Sequence, residues 1–197
     1  MDAITLHVTL PALPPVLKDP AGAVKDMLDA SARAMSNALI RHFRAKNAKP
    51  NAKGWKRSNY WSRAADSVTH RVEGSTAIAE IRKEGVKLHL LGGTVRPRAG
   101  HKAVAIPADP SVAGIWPSEY SGKKGSVATF LVWKKGESSG FIAEKGSDPE
   151  HPRILWWLTG ATHHKPDPTT LPENAQLEAA VTRACNSVLR ALTRGAA

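Results

Sequence analysis

Apolar residues recur along this chain with two distinct periods, and the periods mark out its elements. Ile4, Leu6, Val8 and Leu10 alternate with polar neighbours, which predicts a half-buried strand over Ile4–Leu10, stopped by Pro11, Pro14 and Pro15. From Val24 the spacing changes to three and four. Met27, Leu28, Ala32, Met35, Leu39 and Phe43 share one helical face, predicting a long amphipathic helix to about Ala45. Asp19-Pro20 is its expected entry, with aspartate as cap and proline in the first turn. Ser58 is a second candidate cap, for a short helix running to about Thr69.

Thr76–Arg82, after the turn at Gly74, and the short apolar run Ala103–Ile106 are both read as strands. Val86–Leu91 fits either template: its alternation favours a strand, and the following Gly92-Gly93 suits a helix stop. Val127–Trp133 is apolar almost throughout and rich in β-branched and aromatic residues, which predicts a buried strand. Gly136–Gly140 turns it back into Phe141–Glu144 as a hairpin, and Arg153–Thr159 is a further strand. In an extended Arg153–Thr159, the adjacent Trp156 and Trp157 point to opposite faces, leaving one of them outside the core. After the proline-rich stretch His164–Pro172, the positions Leu177, Val181, Ala184, Val188 and Leu192 form the stripe of a last helix. Cys185 falls on that stripe and reads as a small buried hydrophobe.

These elements give an α+β fold class: a mostly antiparallel sheet packed against a long N-terminal helix and a C-terminal helix. Residues 1–197 are taken as one domain, with a projecting basic loop at 44–57 and an extended arm and loop at 92–126. The loop 108–126 is long and rich in Pro, Gly and Ser, with Ile115, Trp116 and Tyr120 as isolated anchors. No run reaches the roughly 18 apolar residues of a membrane span, so no membrane partner is expected. The N-terminus lacks the basic region of a signal peptide, and a single cysteine fits a reducing compartment.

Charge changes the picture more than composition does. The formal net charge is +11, and the Lys/Arg minus Asp/Glu balance is 3 − 4 over residues 1–40, 15 − 4 over 41–102 and 10 − 9 over 103–197. The excess sits in the middle third, where it favours a polyanion or an acidic protein surface. Arg41–Arg63 alone carries eight Lys/Arg and no acid, with Phe43, Trp55, Tyr60 and Trp61 among them. Two roles are open to those aromatics: stacking on bases or a partner, or turning inward over the end of the first helix. The cations Arg41, Arg44, Lys46, Lys49, Lys53, Lys56 and Arg57 are the candidate contacts to nucleic acid or an acidic neighbour.

Catalytic chemistry finds little footing. No HExxH, paired-cysteine, GxxxxGK[ST] or GxSxG spacing is present, and the acids are scattered. His163, His164 and Asp167, with His151 or His101, can be assembled into a metal site on paper, yet adjacent histidines in an extended segment diverge. A metal-dependent hydrolase therefore ranks far behind a binding or structural role, and no enzyme activity, cofactor or metal is expected.

Four stretches carry a resemblance. They are Leu39-Ile40-Arg41-His42-Phe43-Arg44 with Pro50 and Gly54-Trp55; Leu91-Gly92-Gly93-Thr94-Val95-Arg96-Pro97 continued by Lys102–Pro107; Trp156-Trp157-Leu158; and Pro166-Asp167 with Leu171-Pro172. In this order they resemble the bacteriophage virion-morphogenesis or tail-completion proteins, the group that includes the Mu-like morphogenesis proteins. The resemblance implies a non-enzymatic α+β subunit of the head–tail junction or tail end: a tail terminator, head-closure adaptor or tail-joining protein. It implies a homo-oligomeric ring, a hexamer being one arrangement, with neighbouring neck and tail proteins and packaged double-stranded DNA as partners. Localisation would be the virion, with the bacterial host cytoplasm during assembly. Gly92, Gly93, Arg96, Arg98, Trp116 and Tyr120 would then lie at subunit interfaces. The competing expectation is an independent, non-specific nucleic-acid-binding protein using the basic segment 41–63.

Overall fold

The computed structural model describes residues 4–9, 19–50, 53–55, 58–120, 127–133, 137, 139–146, 148 and 150–194. The chain forms two compact units, one from residues 1–49, 59–91 and 166–197, the other from 50–58 and 92–165. Helices and antiparallel sheets are both present, with a long helix near each end, as an α+β chain requires.

In the first unit, β1 (Ile4–Thr9), β2 (Val68–Glu73) and β3 (Thr76–Ile81) make an antiparallel sheet in the order β1-β3-β2. The registers Leu6↔Ala79 and His70↔Ala79 set β3 as the central strand. One face of this sheet carries Ile4, Leu6 and Val8 of β1, Ala77, Ala79 and Ile81 of β3, and Val68 and Val72 of β2. The small alanines admit the helix α1 (Pro20–Ala48), whose Met27, Leu28, Ala32, Met35, Leu39 and Phe43 are all buried there. The last helix, α5 (Asn174–Arg194), packs along α1 through Val181 and Cys185. Ser31 Oγ lies 3.2 Å from Cys185 Sγ in this interior.

Asp19 caps α1 as its sequence announces, accepting a hydrogen bond from the Gly22 amide at 2.9 Å. The helix outlasts the expected end near Ala45 and runs to Ala48. The short helix after the basic loop differs from the expectation: α2 spans Tyr60–Asp66, and Asn59, not Ser58, precedes it with φ +54°. It stops before Thr69 because Val68 and Thr69 are already paired with Ile81 and Glu80 of β3. Val86–Leu91, open in the sequence, is the helix α3, flanked by Gly85 at φ +89° and Gly92 at φ +69°. The chain leaves the first unit between Leu91 and Gly92.

The second unit holds two sheets. A ribbon pairs β4 (Gly93–Val95) with β9 (Thr162–His164), in the register Thr94↔His163. The larger sheet joins β5 (Val104–Pro107), β6 (Thr129–Trp133), β7 (Ser139–Glu144) and β8 (Ile154–Thr159) in the order β5-β8-β7-β6. Its core is small: Leu155 and Trp156 of β8 under Val112 and Tyr120. The covering residues come from a 3-10 turn at Pro110–Val112 and a single-turn helix α4 (Pro117–Tyr120). Residues 108–120 thus fold over the sheet, and 121–126 lie outside the described residues.

The largest departure concerns β6. Its apolar run predicts burial, yet among the described residues it is an edge strand paired with β7 alone, and Phe130, Leu131 and Trp133 are 38%, 62% and 37% exposed. The expectation for the adjacent tryptophans is met: Trp156 is buried and Trp157 is 48% exposed on the other face.

Candidate functional site

The basic segment divides into cations that face outward and cations used internally. Arg41 and Arg44 are exposed on α1, on the same outer stripe as Arg33 and Asn37, opposite the buried Leu39 and Phe43; Lys49 is exposed just past the helix end. Helical spacing explains the stripe, since residues 33, 37, 41 and 44 succeed one another at intervals of four and three. Lys53 is exposed and lies over the Trp55 ring, 4.5 Å from its centroid. Lys56 and Arg57 lie outside the described residues.

Lys46 does not belong to the outward set. Its ammonium donates to Asp167 Oδ2 at 2.8 Å, to Thr169 Oγ1 at 3.0 Å and to the Thr169 carbonyl at 3.1 Å. It also sits 4.8 Å from the centroid of the Trp61 ring. A lysine holding four partners in this way is committed to the fold, which corrects its assignment as a contact to nucleic acid. Asp167 in turn caps the 3-10 turn Pro168–Thr170 through the Thr169 amide, and the Lys46 ammonium beside it holds its carboxyl down at about 2.

The aromatics among the cations turn inward. Phe43 is fully buried and stacks on Trp61, with centroids 5.8 Å apart and planes within 13°. Tyr60 meets Trp61 edge-on at 5.0 Å, and His89 closes the cluster at 5.1 Å from both. The Tyr60 hydroxyl donates to the Glu84 carbonyl at 3.0 Å; burial, with the Glu84 charge adding to it, pushes the phenol up to about 12. Of the two roles open to these rings, the structure shows the inward one for Phe43, Tyr60 and Trp61.

The residues assigned to subunit contacts also separate. Gly92 is half-buried at φ +69°, and Gly93 is exposed at φ +146°, at the start of the ribbon. Both values lie where a side chain is disfavoured, which is why paired glycines stand at this crossing. Arg96 and Arg98 are exposed on the arm between β4 and β5. Trp116 is 59% exposed, whereas Tyr120 is only 8% exposed. Tyr120 packs edge-on against Trp156 at 5.1 Å, so it belongs to the core of its unit and not to a subunit surface.

Sequence reasoning missed the apolar face of the larger sheet. The registers Val132↔Phe141, Phe141↔Trp157 and Trp157↔Ile106 line these four side chains up across all four strands. Phe130 lies on the same face of β6, and the Phe141 and Trp157 rings meet edge-on at 6.0 Å. On the opposite face, the cover formed by Val112 and Tyr120 protects Trp156 and Ile142, while Leu131 is left in solvent. Among the described residues β6 pairs with one strand alone, and no local pattern in the sequence displays which strands flank a segment.

Elsewhere, Arg153 bridges Asp109 and Glu144 at 3.0 and 2.9 Å, and Asp109 caps Pro110–Val112 through the Ser111 amide. The hydrogen bonds from Arg153 hold the Asp109 carboxyl far below its ordinary range. His163 is exposed, with Nδ1 2.9 Å from Thr94 Oγ1, and no cluster of three metal-ligating side chains occurs among the described residues. An apolar groove of about 580 Å³ in the first unit is lined by Leu6, Met27, Met35, Leu177, Val181 and Cys185, among others. Its rim also carries His7, Asn174 and Glu178. No family model, curated protein or solved structure matches this chain.

Proposed function

We propose that this chain is a structural subunit of a bacteriophage virion, acting at the head–tail junction or tail end by assembly into a ring around the DNA channel. One observation carries the reading furthest: among the described residues, one face of the β5-β8-β7-β6 sheet leaves Trp157 and Phe130 exposed, and Leu131 is exposed on the other face of the edge strand β6. Soluble monomers rarely expose contiguous apolar patches beyond a few hundred Å², and larger ones mark interaction surfaces. Copies of the chain and neighbouring neck or tail proteins are its proposed partners, and no bond-making chemistry is assigned to it. The four stretches read in the sequence support the same role.

The test is a phage lacking the gene. Electron microscopy of lysates should show unjoined heads and tails, rescued by the parent chain and not by a chain carrying Leu131→Glu and Trp157→Glu. Normal infectious particles without the protein would sink the proposal. A second reading, non-specific nucleic-acid binding through the 41–63 segment, is favoured by the exposed stripe of Arg33, Arg41 and Arg44 with Lys49 beyond it. It requires duplex binding with a steep salt dependence that weakens when Arg41, Arg44 and Lys49 are replaced by glutamine.

A further inference from the structure

We infer that the β4–β9 ribbon and the arm that leaves it form a phosphate-binding element for duplex DNA, separate from the basic stripe on α1. Arg96, Arg98, His101 and Lys102 on the arm are all exposed, as are His163, His164 and Lys165 at the end of β9. No Asp or Glu occurs in residues 92–107 or 159–166. Four Lys/Arg side chains (Arg96, Arg98, Lys102 and Lys165) with no acid in these stretches, on a short ribbon and its loop, create a local positive field stronger than the chain average.

The backbone presents these side chains in a defined way. β4 is paired through Val95↔Thr162, so the arm starts from an anchored strand end. Pro97 biases Arg96 toward extended backbone. In extended backbone, Arg96 and Arg98 would stand about 6.6 Å apart on one side of the arm, twice the rise of a strand residue and comparable to the spacing of neighbouring phosphates on a DNA strand. The tip is a tight turn: the His101 amide donates to the Arg98 carbonyl at 3.0 Å, with Gly100 at φ +83°. That turn returns Lys102 toward β5, so cations flank the loop on both limbs.

The chemistry favours DNA over an acidic protein. Protein interfaces are organised around an apolar core with a polar rim, and this arm offers no exposed large apolar side chain. Interfaces with DNA are more polar and more positively charged. The ribbon and arm contain no Phe, Trp or Tyr on which bases could stack, so a duplex held by its backbone fits better than a single strand. Binding of this kind is independent of base sequence.

The inference stands apart from the virion role, because its test needs only the purified full-length chain. Fluorescence anisotropy with a labelled 30-base-pair duplex of arbitrary sequence would compare the parent with Arg96→Gln/Arg98→Gln/Lys102→Gln across 50–200 mM salt. Losing three phosphate contacts should flatten the slope of log K against log salt by about 2.7, and weaken binding at 50 mM by about tenfold or more. Arg96→Lys/Arg98→Lys should keep the parent slope, which separates loss of charge from loss of fold. In the parent, a saturating duplex should shield Lys102 and Lys165 from acetylation. No duplex binding by the parent, or an unchanged slope in the glutamine variant, would overturn the inference. So would a glutamine variant that loses binding to polyglutamate alone, since the arm would then face an acidic protein.

Discussion

Lys46 and Asp167, 121 residues apart, meet at 2.8 Å and tie the C-terminal end of α1 to the turn before α5. The contact explains why one of the seven candidate cations is unlike its neighbours. Its carboxylate has a folded-state pKa of about 2, below its value in an unfolded chain, and it therefore stabilises the fold above the unfolded value near 3.9. That contribution is lost as pH falls through about 2. Asp167 is 39% exposed, which limits the pair to about 1 kcal/mol. Urea unfolding of Asp167→Asn should show a deficit of that size at pH 7, shrinking between about pH 4 and pH 2.

Tyr60 gives the opposite dependence. A phenol raised to about 12 in the folded chain and near 10 when unfolded disfavours the folded state once the unfolded chain can ionise. Stability should fall as pH rises from about 10 toward 12, and Tyr60→Phe should lack that part of the fall. The difference spectrum between parent and variant near 295 nm during alkaline titration would report the raised midpoint directly. A midpoint at the ordinary value would contradict the burial described for this ring.

The adjacent tryptophans of β8 should respond oppositely to truncation. Trp156→Ala empties the small core under Val112 and Tyr120 and should cost about 3–5 kcal/mol. Its indole Nε1 has no hydrogen-bond partner among the described residues, so Trp156→Phe should cost clearly less than Trp156→Ala. Trp157→Ala removes a half-exposed ring and should change stability by about 1 kcal/mol or less. Chemical denaturation separates the two, and sedimentation of concentrated samples should show reduced self-association for Trp157→Ala alone.

Arg153 is the hub of the second unit's ion network. Removing it leaves Asp109, whose side chain is 18% exposed, without its strongest hydrogen bonds. Arg153→Ala should destabilise the chain by about 1–2 kcal/mol, as measured by urea unfolding. Arg153→Lys should restore less than the full amount, because a single ammonium cannot reproduce the fork between Asp109 and Glu144.

Much of the architecture was legible because burial and backbone geometry leave local marks. The three- and four-residue spacing from Val24 to Phe43 is α1, the alternation of Ile4 to Val8 is β1, and Asp19-Pro20 is the first cap. The same Asp-Pro signal recurs at Asp109-Pro110-Ser111 and Asp167-Pro168-Thr169, where each aspartate accepts a hydrogen bond from the amide two residues on, as Asp19 does from the amide three residues on. Those two caps were readable in principle, and their value lies in the cations that reach them, Arg153 and Lys46, which come from far along the chain.

The sequence by itself determined the periods of α1, β1 and the last helix, the concentration of positive charge between 41 and 102, and the opposed directions of Trp156 and Trp157. Tertiary structure alone decided which side chains are covered. Thr129–Trp133 has the composition of a core strand and lies at a sheet edge; Tyr120 and Trp116 sit four residues apart with one buried and one in solvent; Lys46 is bound while Arg44 is free to face outward. Periodicity reports the shape of a segment, which local backbone sterics set. Burial depends on what is packed across from it, and that neighbour is supplied by residues tens of positions away.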